Sequence, residues 1–269
     1  MSNAQSAITS DDDNVRLLID AFGLMVSRFP GHKIEHSGSV ATLFADVPLS
    51  FFNMSILDRP LMEAAVFLDA LALARSRAKA YRHPSLVGLC AAWAPSNWED
   101  LTAEAGLRPA LNKPGMAADC LLPARREPPV LEYRLASDAA PARDLARISA
   151  LAYGMPVEEF ECVAHPLLWK GNMFGVVGYA EGRAVTCAAA FPVADTIYVA
   201  FVATLPEAFG KGYAEAAMRR AIELAQAAVG QRRIWLHASD AGRPLYHSMG
   251  FESGAALPLL QFSEQSAGA

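Results

Sequence analysis

A chain of 269 residues has room for two domains, and 53% hydrophobic against 19% charged residues gives ample core material and excludes global disorder. A net charge of −5 with no Lys/Arg run argues against a nucleic-acid partner, and no apolar run reaches the roughly 18 residues of a membrane span. Cys90, Cys120, Cys162 and Cys187 form no Cys-x-x-Cys pair and Asp11-Asp12-Asp13 stand where a secretory leader would be basic, so free thiols in a reducing cytoplasm are expected rather than disulfides or zinc.

The aspartates cap a helix expected over residues 14–29, where Val15, Leu18, Ile19, Phe22 and Val26 fall on one stripe. Residues 39–47 and 49–56 read as extended. An alanine-rich helix is expected over 61–81, a strand over 86–93 and a short helix over 97–107. His32, His36 and His83 have no metal-ligand spacing, and no metal is expected. Pro123-Ala124-Arg125-Arg126-Glu127-Pro128-Pro129 can continue neither a helix nor a central strand, so it reads as a linker. It divides the chain into 1–124 and 125–269.

Beyond the linker the pattern predicts a strand over 131–136 and a helix over 141–153, opened by Ser137-Asp138. A second helix is expected over 157–167. Strands over 173–180 and 183–193 flank the Glu181-Gly182 turn, and 196–204 is apolar on both faces, as a central strand would be. Leu205-Pro206-Glu207-Ala208-Phe209-Gly210-Lys211-Gly212-Tyr213-Ala214 then leads into a helix with Ala214, Ala217, Met218, Ala221 and Ala225 on one stripe, stopped by Gly230. Glycines at a helix mouth let the backbone approach a ligand, and the unpaired N–H groups of the first turn favour an anion. The spacing is not that of a nucleotide P-loop, and the dinucleotide fingerprint is incomplete. A strand over 233–238, a short helix over 242–249 and a last strand over 256–262 follow.

Val202-Ala203-Thr204-Leu205-Pro206 with Phe209-Gly210-Lys211-Gly212-Tyr213-Ala214 resembles the coenzyme A pyrophosphate loop of the GNAT superfamily of N-acyltransferases, Gln/Arg-x-x-Gly-x-Gly/Ala. Downstream, Leu245-Tyr246-His247-Ser248-Met249-Gly250-Phe251 resembles that family's Leu-Tyr-x-x-x-Gly-Phe helix. The resemblance covers about residues 131–262. It implies an α/β GNAT fold, a mixed, mostly antiparallel, splayed sheet flanked by helices. The first half echoes the same order of elements, which points to a tandem form whose N-terminal half is a degenerate copy. There Leu57-Asp58-Arg59-Pro60-Leu61 replaces the glycine loop, so no coenzyme A site is expected in that half.

The resemblance also implies a function, transfer of an acyl group, acetyl above all, from coenzyme A to a small-molecule or peptide amine within a ternary complex. Main-chain groups of Val202, Ala203 and Thr204 would hold the pantetheine arm, and amides from Gly210 to Ala214 the pyrophosphate. Phe209 stands where the family has Gln or Arg, and Lys211 is the charge available in exchange. Ser239 occupies a common Asn position, with a pantetheine contact or a helix cap open to it. Tyr246 matches the general acid, a phenol whose reference pKa near 10 suits a departing thiolate. No carboxylate lies in 196–204, so the base is sought nearby, with Glu161 named first beside Glu158, Glu159, His165 and His237. Tyr198 and Trp169 are candidates for the acceptor pocket. No cysteine sits in an acyl-enzyme motif. A non-catalytic acyl-CoA sensor is the rival reading. The partner of the catalytic half is either the fused first half or a second copy in a homodimer.

Overall fold

The computed structural model describes residues 10–263. In its first half α1 (Asp11–Val26) precedes β1 (Lys33–Ser37), β2 (Val40–Phe44) and β3 (Asn53–Leu57). Then come α2 (Ala64–Lys79), β4 (Leu86–Gly88), α3 (Trp98–Glu104), β5 (Leu107–Asn112) and β6 (Gly115–Ala118). The second half opens with β7 (Glu132–Leu135), α4 (Ala139–Tyr153), α5 (Val157–Phe160), β8 (Phe174–Ala180), β9 (Arg183–Val193) and β10 (Thr196–Thr204). It ends with α6 (Tyr213–Val229), β11 (Ile234–His237), α7 (Arg243–Ser248), β12 (Glu252–Ser253) and β13 (Pro258–Phe262).

Two mixed sheets result, ordered β1-β2-β3-β4-β13-β5 and β12-β6-β11-β10-β9-β8-β7. Each contains one parallel pair, β3 with β4 and β10 with β11, and the other pairings are antiparallel. Each parallel pair is bridged by a long helix, α2 or α6, because a parallel connection needs a crossover. The halves therefore repeat one plan.

The sheets also exchange strands. β13 lies between β4 and β5, with Leu260 opposite Val87 on one side and Pro109 on the other. β6 lies between β11 and β12, with Ala117 opposite both Trp235 and Glu252. The last strand, read from sequence as part of the second half's sheet, thus belongs to the first half's sheet. Periodicity tells which faces of a strand are buried but not which neighbour buries them. Leu259 faces the core shared by both halves, and Leu260 and Phe262 face the α2 side.

Other boundaries moved for local reasons. α1 begins three residues before the expected start, because Ser10 Oγ accepts the Asp13 N–H at 3.0 Å and the aspartates fill the first turn, facing the positive helix end. The helix expected over 157–167 breaks after Phe160 into a 3-10 turn, Glu161–Ala164, which Pro166 cannot extend. Residues 49–52 turn rather than extend, and β1, β5 and β6 were not anticipated. β1 is a polar edge strand, and β6 is four small or flexible residues with no β-branched member.

One residue pins the exchange. Asn14, fully buried on α1, accepts the Gly115 N–H through Oδ1 at 2.9 Å and donates from Nδ2 to the Ala255 carbonyl at 3.0 Å. It thereby holds the start of β6 and the approach to β13 together. A Cβ on Gly115 would collide with that Oδ1, so glycine is required there for space. Asn14→Ala is expected to cost about 1–3 kcal/mol, since it leaves a buried donor and a buried acceptor unpaired. A urea titration checks this; an unchanged midpoint would show that the amide does not hold the crossing.

Candidate functional site

The central strands diverge. β10 pairs with β11 through Ile197–Ile234, Tyr198–Trp235 and Val199–Leu236, and no β11 partner follows Val199. On its other side β10 carries a bulge: Ala200 faces Ala189 and Ala203 faces Cys187, so Phe201 and Val202 together oppose Ala188. Phe201 takes φ +53, a strained value for a non-glycine residue. Its ring is held 5.8 Å from Trp169 and 6.4 Å from Phe52, which fixes the distortion from both halves. Thr186 Oγ1 donates to the Ala203 carbonyl at 2.9 Å and tightens the strand beyond the bulge.

A cavity of about 420 Å³ opens where the strands part. β10 supplies Tyr198 to Val202, the β11 end supplies Leu236, His237 and Ser239, and Tyr246 enters from α7. Tyr153 and Phe160 close one side. The first half closes the other with Leu18, Phe22 and Met25 of α1, Phe51, Phe52 and Lys113. Among the described residues no Asp or Glu lines it.

β10 leaves this cavity and, after a 3-10 turn at Pro206–Ala208, reaches the glycine loop. Gly210 and Gly212 sit at φ +77 and +76, and Gly212 is the N-cap of α6. Both need glycine for conformation, since neither would find a clash for an added Cβ. The first N–H groups of α6, from Tyr213, Ala214 and Glu215, have no intrahelical acceptor and share the helix's positive end. Phe209 is 62% exposed, and Lys211 Nζ lies 6.0 Å from the Tyr213 ring centroid.

Tyr246 is buried, its ring packed so closely on Gly242 that a Cβ there would stand 2.7 Å from it. Burial pushes its phenol well up, so it stays protonated at neutral pH. Ser239 Oγ accepts the Gly242 N–H at 3.3 Å and so helps hold the turn into α7. Tyr153 O–H donates to the Val202 carbonyl at 3.3 Å.

The tautomer of His237 follows from its partners. Nε2 lies 2.9 Å from the Asn14 carbonyl and 3.0 Å from Asn14 Oδ1, both acceptors, so Nε2 carries the proton. Nδ1 must then accept, and it takes the Tyr198 O–H at 2.8 Å. Burial first, with the Lys113 charge adding to it, drives the imidazole down to about 3 despite the bond to Asn14. Lys113 itself is drawn down to about 8 by burial, partly countered by Asp240.

Of the sequence candidates, Val202, Ser239 and Tyr246 meet at the cavity, Ala203 and Thr204 continue its edge, and Phe209 to Ala214 form the loop beyond. Glu161 is not brought in: it is exposed on the 3-10 turn and does not line the cavity, because the helix breaks at Phe160. Glu158, Glu159 and His165 stay outside as well. Trp169 is core, donating from Nε1 to the Val163 carbonyl at 2.8 Å, whereas Tyr198 does line the cavity. Cys187 is buried and its thiol pushed up to about 12, as an inert core thiol would be. Tyr153, Lys113 and Phe51 were missed; Lys113 lies in a segment without periodicity.

The first half has the corresponding parallel pair, β3 with β4, but the space beyond it, lined by Leu57, Leu61, Leu89 and Trp93, is closed. Leu61, buried, donates its N–H to the Trp93 carbonyl at 2.7 Å, and α2 starts with Glu63 at its N-cap, an acidic residue where an anion would sit. Among the described residues there is no group of three metal-ligating side chains and no helix long and apolar enough to cross a membrane.

Residues 143–251 match the acetyltransferase (GNAT) family model. Over 94% of this chain and 97% of the other, the fold is similar to a GCN5-related N-acetyltransferase from Kribbella flavida, at 20% identity and a TM-score of 0.68. A functionally unknown conserved protein from Staphylococcus epidermidis aligns over 87% of this chain and 94% of its own, at 14% identity and 0.62. A tandem GNAT protein from the clavulanic acid biosynthesis pathway aligns over 94% and 95%, at 14% and 0.53. No curated protein matches the sequence.

The depressed His237 carries a stability signature. The unfolded imidazole gains a proton near pH 6.5, the folded one near 3, so stability is complete above about 6.5 and falls as pH drops toward 3. Urea midpoints are expected to decline over that window, and less steeply for His237→Asn. Parallel declines in the two proteins would contradict a neutral buried histidine.

Proposed function

We propose, from the premise that residues 143–251 are a domain of the GNAT acetyltransferase family, that the protein transfers an acyl group, acetyl foremost, from coenzyme A to an amine by direct attack in a ternary complex. One observation carries the reading: the β10 edge that loses its β11 partner at Val199 runs, bulged, into the glycine-mouthed start of α6. An open strand edge fits the amides of a pantetheine arm, and the orphan N–H groups of α6 fit a pyrophosphate. Val202, Ala203 and Thr204 would hold the first, Gly210 to Ala214 the second, with Ser239 alongside. When bound, acyl-CoA supplies the activated thioester.

Tyr246 is the acid in this reading. Its buried phenol keeps its proton until the sulfur departs, gives it to the thiolate and takes the proton the amine sheds, so protons balance without a charged base. A carboxylate is not needed if the amine arrives neutral. The same kind of desolvation that lowers Lys113 to about 8 would also favour the free base of a substrate amine in this cavity. The first half, its own cleft filled by Leu61 and Trp93, binds no coenzyme A in this proposal and serves as the acceptor wall, in place of a second copy. The carboxylate-free lining is also what a non-catalytic acyl-CoA sensor would have, and turnover separates the two readings.

Saturable binding of acetyl-CoA, with ATP and NAD inert, is expected in calorimetry; no binding would remove the proposal. Tyr246→Phe is expected to lower kcat in a thiol-release assay by about 10²–10⁴-fold while leaving acetyl-CoA affinity within a few-fold. An unchanged kcat would strip Tyr246 of its role. Gly212→Val, forced to φ +76, is expected to weaken acetyl-CoA binding, read by the same calorimetry. For wild type, kcat/KM is expected to rise with pH along the free-base fraction of the amine.

A further inference from the structure

The acyltransferase reading leaves the amine open, and the following inference about it rests on that reading. The acceptor side of the cavity is built of α1 and the Phe51–Phe52 turn, and its surface is hydrocarbon. Within that wall stands a single charge, Lys113, with Nζ 5.4 Å from the centroid of the Phe51 ring. It reaches the site because the backbone crossing delivers it: its N–H donates to the Leu257 carbonyl at 2.9 Å, just before β6 enters the second sheet. No carboxylate is ion-paired with Lys113 among the described residues. Asp240, the acid whose field it feels, is held 3.2 Å from Arg243 and is largely exposed. The other titratable groups lining the cavity are Tyr153, Tyr198, Tyr246 and His237, all neutral at pH 7. An ammonium in an apolar wall is costly unless an anion meets it, and here the protein supplies none.

We propose that the acceptor is an amino carboxylate with an apolar or aromatic body, its carboxylate paired with Lys113 and its amine turned toward the β10 bulge. One lysine balances one negative charge, so a carboxylate suits it better than a phosphate dianion. The hydrocarbon wall takes the body of the molecule, and a cavity of about 420 Å³ lies in the small-molecule range of roughly 300–1,000 Å³. Polyamines, aminoglycosides and lysine side chains would instead add positive charge beside Lys113 with no counter-ion. The same pairing supports catalysis: a neutralised Lys113 no longer repels the approaching amine, while the apolar wall still favours its free base.

The test compares phenylalanine, phenethylamine and spermidine on the full chain. Thiol release is measured with acetyl-CoA, and each amine is titrated by calorimetry into protein saturated with coenzyme A, which reads the contrast without turnover. Phenylalanine is expected to bind and react best, and Lys113→Met to weaken it by about 10- to 100-fold, the loss of a charge-assisted contact, while phenethylamine, relieved of an uncompensated charge, is helped rather than weakened. Lys113→Arg, which keeps the charge, is expected to retain most of the preference. The proposal is overturned if phenethylamine or spermidine is preferred, if phenylalanine does not bind, or if Lys113→Met leaves the ratio of the amines unchanged. Acetyl-CoA binding is scored separately: its loss in the wild-type protein would sink the acyltransferase reading itself, whereas its presence with the wrong amine preference would sink this inference alone.

Discussion

Asn14 places both ends of one side-chain amide at the point where the two sheets trade strands, bonding Gly115 on one side and the Ala255 carbonyl on the other. Its Oδ1 and main-chain carbonyl also receive the His237 Nε2 proton, so the lock and the site share a residue. The position of α1 against β11, the tautomer of His237 and the direction of the Tyr198 hydroxyl all descend from it. A buried network of this kind is specific because each member has a fixed partner, and a half-made version would be worse than none.

The chemistry of the cavity follows from its dryness. Burial lowers the His237 imidazole to about 3 and draws the one cation, Lys113, down to about 8, while the phenols of Tyr198 and Tyr246 are pushed further above their ordinary range. In the proposed reaction such a lining would favour an uncharged amine, which is why no carboxylate base is invoked. The strained bulge at Phe201 belongs to the same economy of position: it turns a central strand outward where the neighbouring strand stops, and aromatic rings from both halves hold it there.

Much of the fold was legible in the sequence because its signals are local. β9 and β10 fall at the predicted residues, since continuous apolar runs bounded by turn residues mark buried strands, and the glycine pair before α6 marks a helix mouth. Partner choice was not legible, because β13 reads the same whichever sheet receives it. The site divides likewise. Tyr246 and the loop from Phe209 to Ala214 could be named from motifs, whereas Glu161 rested on the resemblance, in which the second helix borders the acceptor site, and here that helix stops at Phe160. Lys113 had no local signature at all, for its place in the cavity lining comes from Phe51 and the first half folding around it.

The exchange also sets an order of events during synthesis. A first half made of residues 10–118 leaves the ribosome with a gap between β4 and β5, and its own final strand is committed elsewhere. At translation speeds of about 5–20 residues per second, that gap waits about 7–30 seconds until β13 has been made. The second sheet, whose last strand in the chain is β12, has all its strands before the first, whose gap is filled only by β13. A chain interrupted before β13 therefore lacks both the strand between β4 and β5 and the Leu259 side chain that lines the cavity.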